Sequence, residues 1–155
     1  MRAHGLLVRI GLLFGLGLLV IAGVPIAAMD CARAQAASAL TEADQSAIRQ
    51  VIQDQMAAFG KDDADKAFGY AAPAIHEIFR TSENFMNMVR SGYAPVYRPR
   101  KVEFGPIEMI DGVPVQHVFV VGPDGDNVDA LYYMQRQPDG TWKVNGCELK
   151  ASYQA

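Results

Sequence analysis

From Val102 onward the apolar positions stop recurring every three or four residues and begin to alternate. Val102 to Ile110, Val113 to Val121, Val128 to Gln137 and a run from Thr141 through Cys147 and Leu149 are rich in β-branched and aromatic residues. They are separated by Asp111-Gly112, Gly122-Pro123-Asp124-Gly125 and Pro138-Asp139-Gly140, which supply turn dihedrals. Connections this short predict antiparallel neighbours, because parallel strands need long crossovers. Alternation sorts the faces: Val115, His117, Phe119 and Val121 share one side of their strand, with Gln116, Val118 and Val120 on the other. In the next strand Val128, Ala130, Tyr132 and Met134 oppose Asp129, Leu131, Tyr133 and Gln135. Neither face is purely polar, which predicts a sheet covered on both sides: helices on one, a second subunit on the other. Gly105-Pro106 and Asn145-Gly146 interrupt their strands and predict bulges and a curved sheet.

Upstream, the period is helical. Ile48, Val51, Ile52, Met56 and Phe59 form one stripe of a first helix, with Thr41 and Asp44 as a capping box and Gly60 as its stop. A charged turn, Lys61 to Lys66, opens a short second helix through Ala71, with Asp62 or Asp63 as N-cap. Pro73 to Arg80 is a helical turn, and Thr81 or Ser82 caps a third helix, Glu83 to Arg90, that ends at Gly92. Tyr93 to Pro99, with two prolines, is expected to be extended. The carboxylates of 61–66 lack the glycine and distal glutamate of a calcium loop, so no metal is expected there.

The first 34 residues read as an export signal. Arg2, His4 and Arg9 precede an uncharged apolar run, Ile10 to Met29, and Ala32-Arg33-Ala34 fits a cleavage site before Gln35. The alternative is an uncleaved membrane anchor, since the run approaches the ~20 residues that span a bilayer. A lipoprotein reading of Cys31 fits poorly beside Asp30. Residues 35–40 are expected to be a disordered lead-in and 41–155 one domain, periplasmic or secreted. The chain has 14 basic and 17 acidic residues; without Arg2, Arg9, Arg33 and Asp30 it keeps 11 and 16, a formal charge of −5. That balance argues against nucleic-acid or anionic-membrane binding. Cys147 is then alone and reads as a small buried hydrophobe.

In this order, a long helix, shorter helices and a curved antiparallel sheet resemble the nuclear transport factor 2-like (cystatin-like, SnoaL-like) superfamily, and Asp139 to Cys147 resembles its last hairpin. More narrowly, Glu83-Asn84-Phe85, Met88-Val89-Arg90, Tyr93 to Pro99 and Val102 to Pro106 resemble a bacterial domain-of-unknown-function family, number 4864, whose members typically carry export signals. The resemblance covers about Leu40 to Ser152. It implies an α+β fold with three N-terminal helices on a strongly curved sheet of at least four strands, a pocket between sheet and helices, and frequent dimers through the sheet. It names no activity, because the superfamily hosts enzymes, binders and interaction modules alike.

Candidate chemistry is sparse. His117 is the best candidate base, since imidazole titrates near neutrality, with Asp129 on the neighbouring strand as its orienting partner. Tyr70, His76 and Tyr133 are the other polar candidates for the pocket. Arg90, Arg98, Arg100 and Lys101, among tyrosines, form a basic patch that suits an anion or a partner, unless they pair with Glu83, Glu103 or Glu108. There is no phosphate-cradling glycine loop, serine nucleophile elbow, metal motif or dinucleotide fingerprint. The reading therefore favours a non-enzymatic module binding a small apolar or anionic ligand or a protein, without cofactor. The alternative is a cofactor-independent isomerase, dehydratase or hydrolase that uses His117 and Asp129 in the sheet–helix pocket.

Overall fold

The computed structural model describes residues 40–152, and the export signal, the anchor alternative and most of the lead-in lie outside them. Five helices precede four strands in the described residues: α1 (Glu42–Gly60), α2 (Ala64–Gly69), α3 (Pro73–Phe79), α4 (Ser82–Gly92), α5 (Ala94–Tyr97), β1 (Lys101–Ile110), β2 (Val113–Val121), β3 (Asn127–Arg136) and β4 (Trp142–Ala151). The strands pair in chain order as one antiparallel meander. None of the described helices is long and apolar enough to cross a membrane.

α1 begins at the expected capping box. Thr41 Oγ1 accepts from the Asp44 amide at 3.1 Å, and Asp44 Oδ2 accepts from the Thr41 amide at 3.2 Å. The other Asp44 oxygen accepts from Trp142 Nε1 at 3.2 Å, so the same carboxylate ties the start of α1 to β4. The apolar stripe of α1 is buried: Ile48 and Ile52 are 0 % exposed, and Met56 and Phe59 lie with them against the sheet and the helices. Burying each such side chain removes roughly 1.5–3 kcal/mol of apolar surface from water, and this packing, more than propensity, holds the helix.

The end of α1 departs from expectation. Gly60 is the last helical residue, and the left-handed turn falls on Asp62 at φ 57°. Asp tolerates that region better than most side chains because its short carboxylate bonds locally. The segment after Tyr93 also differs. It closes a turn of helix, α5, in which the Val96, Tyr97 and Arg98 amides donate to the Tyr93 and Ala94 carbonyls. Pro95 sits in the first turn, where its missing N–H has no helical partner to lose.

Both predicted bulges are present. The β1–β2 register shifts between Phe104 and Ile107, across Gly105-Pro106. In the β3–β4 pair, Tyr133 faces Gly146 and Met134 faces Val144, which leaves Asn145 as the extra residue. The first bulge is stitched from inside. Gln116, 0 % exposed, donates from Nε2 to the Gly105 carbonyl at 2.8 Å and the Pro106 carbonyl at 3.2 Å. Arg49 on α1 donates to its Oε1 at 3.4 Å. A buried amide persists in a core only when it is bonded in this way.

The helices cover one face of the sheet. Val118, Val120, Ala130, Tyr132, Met134, Trp142 and Val144 meet Ile48, Ile52, Met56 and Val96 there. A second cluster, Phe59, Phe68, Phe85, Met86 and Val89, binds the helices to each other. The opposite, open face carries Val115 and Leu131, 0 % and 3 % exposed, among the half-buried His117, Phe119, Asp129 and Tyr133.

Candidate functional site

A cavity of about 380 Å³ opens between the helices and the covered face of the sheet. Its helical wall comes from Phe59 on α1, Ile75 and Phe79 on α3, and Phe85, Met88 and Val89 on α4. Tyr93, Val96, Tyr132, Val144 and Cys147 close the sheet side. The chain between α2 and α3 is pinned to β4: the Val144 amide donates to the Tyr70 carbonyl at 2.9 Å, and the Ala72 amide to the Val144 carbonyl at 2.8 Å.

The polar groups in this wall are few and neutral. Gln55, 2 % exposed, donates from Nε2 to the Ala67 carbonyl at 3.2 Å. Tyr93 donates its hydroxyl to the Cys147 carbonyl at 3.1 Å. Tyr132, 1 % exposed, has a buried hydroxyl with no hydrogen-bond partner among the described residues. It sits beside the Cys147 thiol without a hydrogen bond of ordinary geometry. Burial pushes the Cys147 thiol up to about 12 and the Tyr132 phenol well above its ordinary value. Both groups are therefore neutral at physiological pH, and Cys147 is not an activated nucleophile.

Tyr70, His76, His117, Asp129, Tyr133 and the basic residues of the patch do not line this cavity, whereas Tyr93, which stands among those basic residues in sequence, does. His76 is half-buried on α3 with its ring stacked on Phe68, centroids 3.8 Å apart. Tyr70 serves through its backbone carbonyl. Tyr133 points to the open face and donates to Glu148 at 3.3 Å. His117 and Asp129 do meet: Nδ1 lies 2.8 Å from Asp129 Oδ2, and Glu108 Oε2 lies 3.6 Å from Nε2. The pairing is diagonal, since His117 faces Leu131 and Asp129 faces Phe119 across the β2–β3 register. Strand parity puts the whole group on the open face, away from the sheet–helix pocket. His117 Nε2 and Asp129 Oδ1 are nonetheless buried without hydrogen-bond partners.

The basic patch is largely neutralised, by a partner the sequence did not suggest. Asp62, from the acidic turn, accepts from Arg90 Nη2 at 3.0 Å, from Arg98 Nη2 at 2.7 Å and from the Tyr97 hydroxyl. Arg98 also donates to the Gly60 carbonyl at 3.2 Å and stacks on the Tyr97 ring. The Tyr97 hydroxyl first, then the Arg90 guanidinium, hold the Asp62 carboxyl below the usual range. Lys101 pairs with Glu103 at 3.3 Å, and Arg100 is exposed with its amide bonded to the Val121 carbonyl. The left-handed Asp62 turn is what brings two sequence-distant charge runs together. Among the described residues no group of three or more His, Cys, Asp or Glu is placed to hold a metal.

What sequence reasoning missed is the cavity polarity: Gln55, Tyr132 and Cys147 are not among its candidate site residues. Parity did place Tyr132 opposite Tyr133, but which face the helices cover was not readable.

Neither the curated proteins nor the solved structures contain a match to this chain. Residues 41–155 match the family described as "Domain of unknown function (DUF4864)", and with that match over most of its length the chain belongs to this family.

Proposed function

We propose that this domain is a non-enzymatic binding module that holds a small apolar ligand in the cavity between its helices and β4. The observation that carries the reading is the cavity itself: about 380 Å³, walled by aromatic and aliphatic side chains with a few neutral polar groups. That is within the size range and the composition of small-molecule sites. Well-packed cores leave few voids larger than a water, so a space this large needs an occupant or a purpose. The helix order, the two bulges and the meander further support a nuclear transport factor 2-like cone as the framework. Export of the domain, with residues 1–34 removed, is part of the same proposal.

The ligand is apolar rather than anionic. No charged side chain lines the cavity, and the arginines that suited an anion are held by Asp62. The enzyme alternative is weakened by position: the His117–Asp129 pair lies outside the cavity, where nothing encloses a substrate.

One observation favours a second role, for the open face. That face carries the half-buried Phe119 and Tyr133 and, at its β1 edge, the exposed Ile110. A second copy of the chain docking there through the sheet would cover them.

Native mass spectrometry of the exported protein tests both roles. Extra mass that leaves on denaturation, and is lost in Cys147→Phe, which fills the cavity, is the expected result. An empty wild type that gives no thermal stabilisation with a panel of neutral hydrophobes would refute the cavity reading. A strictly monomeric species at micromolar concentration would refute self-association.

A further inference from the structure

The polar atoms in the cavity wall differ in whether a ligand can reach them. The Tyr132 hydroxyl is sealed beside the Cys147 thiol and lies out of reach. Gln55 is different. Its side chain comes off α1, is 2 % exposed and lines the cavity. Nε2 donates to the Ala67 carbonyl at 3.2 Å, which pins α2 to α1. A carbonyl can only accept, so the amide nitrogen is the atom that faces it and Oε1 is left over. Oε1 has no hydrogen-bond partner among the described residues, yet it is not sealed as the Tyr132 hydroxyl is. Because Gln55 is otherwise buried, the surface that this oxygen keeps opens on the cavity. Pinning α2 explains the nitrogen and leaves the oxygen unexplained, since Met or Leu would pack an apolar wall without a desolvated acceptor. Tyr93 is a second residue of the same kind. Its proton is committed to the Cys147 carbonyl at 3.1 Å, so its phenol oxygen has only acceptor capacity left.

We propose that the cavity selects a neutral lipophile bearing a hydroxyl group, and that Gln55 Oε1 accepts the hydrogen bond that recognises it. This rests on the reading of the cavity as a ligand site. Neutrality follows from the wall, where an ammonium or a carboxylate would be buried with no countercharge. A donor follows from the amide oxygen. A hydrocarbon would leave Oε1 unpaired, and so would a ketone, which only accepts. A hydroxyl suits the amide better than a lone N–H, because its own oxygen can also accept from the second Nε2 hydrogen. Gln55 is then a specificity-determining residue with no chemical step assigned to it.

The test titrates three probes of one skeleton into the full chain. Diphenylmethanol donates and accepts, benzophenone only accepts, and 1,1-diphenylethane carries a methyl group in place of the hydroxyl. Calorimetry gives each affinity, and dividing it by the probe's partition from water into hexadecane removes what any apolar phase would contribute. Wild type is expected to give a quotient roughly tenfold or more larger for the alcohol than for the other two, because hexadecane leaves the hydroxyl unpaired and Gln55 does not. In Gln55→Met, which keeps the length without the amide, that advantage should fall roughly three- to tenfold while the hydrocarbon binds as before. Equal quotients for alcohol and hydrocarbon in wild type, or a ketone that matches the alcohol, overturn the hydroxyl inference and leave the cavity reading standing. An advantage that survives intact in folded Gln55→Met overturns the role of Gln55. Failure of all three probes to bind wild type overturns the inference and the cavity reading together. The comparison within wild type stands whether or not the variant folds.

Discussion

The two faces of the sheet are built from the same strands and end in opposite conditions. On the covered face, Val118, Val120, Ala130, Tyr132 and Met134 are almost fully buried beneath α1 and α5, and the polar exception, Gln116, is saturated with hydrogen bonds. Its one buried group without a hydrogen bond of ordinary geometry is the Tyr132 hydroxyl, beside the Cys147 thiol, in a residue that lines the cavity. On the open face, His117 Nδ1 and Asp129 Oδ2 lie 2.8 Å apart, Glu108 lies 3.6 Å from His117 Nε2, and Asp129 Oδ1 is buried without a hydrogen bond. Edge strand β1 exposes Ile110 on this side as well. The difference teaches where to look for partners. An apolar cavity calls for a small molecule, whereas exposed apolar side chains along a sheet edge call for another surface.

That contrast is sharpest in the stability of the two sides. Ile52→Ala removes a fully buried side chain between α1 and the sheet and is expected to cost about 3 kcal/mol in denaturant unfolding. Ile110→Ala, at a 38 % exposed position, is expected to cost under ~0.5 kcal/mol. Comparable losses at the two sites would mean that the β1 edge is buried in an assembly.

An intermediate effect is expected where β1 bends over the open face. A Cβ at Gly105 would stand 2.7 Å from the Phe119 ring and 3.1 Å from His117 Cβ. Gly105→Ala is expected to cost about 2 kcal/mol through this overpacking. Adding Phe119→Leu should restore part of it. If the single substitution is neutral, the ring and the bulge are not packed as described, and the open face is looser than its pairing implies.

A smaller effect than that of Gly105→Ala concerns the pair itself. A double-mutant cycle of His117→Ala and Asp129→Ala is expected to give a coupling of about 1 kcal/mol, because the groups are mostly shielded from solvent and 2.8 Å apart. A coupling that grows with protein concentration would place the pair in a contact between copies. No coupling at any concentration would make the contact incidental and remove the main polar feature of this face.

Much of this molecule follows from its chain read alone. Period and punctuation determine the helices and strands: alternation across Val113 to Val121, the Thr41–Asp44 box, and glycines at the bulges act through neighbours in sequence, so local chemistry suffices. The antiparallel order follows because turns of two to a few residues cannot lead anywhere else. Short-range rules also group His117 with Phe119 and set Tyr132 opposite Tyr133. What they cannot do is say which group faces the helices, because a strand that is apolar on both sides gives either choice the same pattern. That decision belongs to long-range packing, and it moved the His117–Asp129 pair out of the pocket and Tyr132 and Cys147 into its wall. The same holds for Asp62. Its place in an acidic turn is local, but its grip on Arg90 and Arg98 depends on the left-handed turn and on where α4 and α5 come to rest. Charges pair through space, and only the tertiary structure decides which distant residues share it.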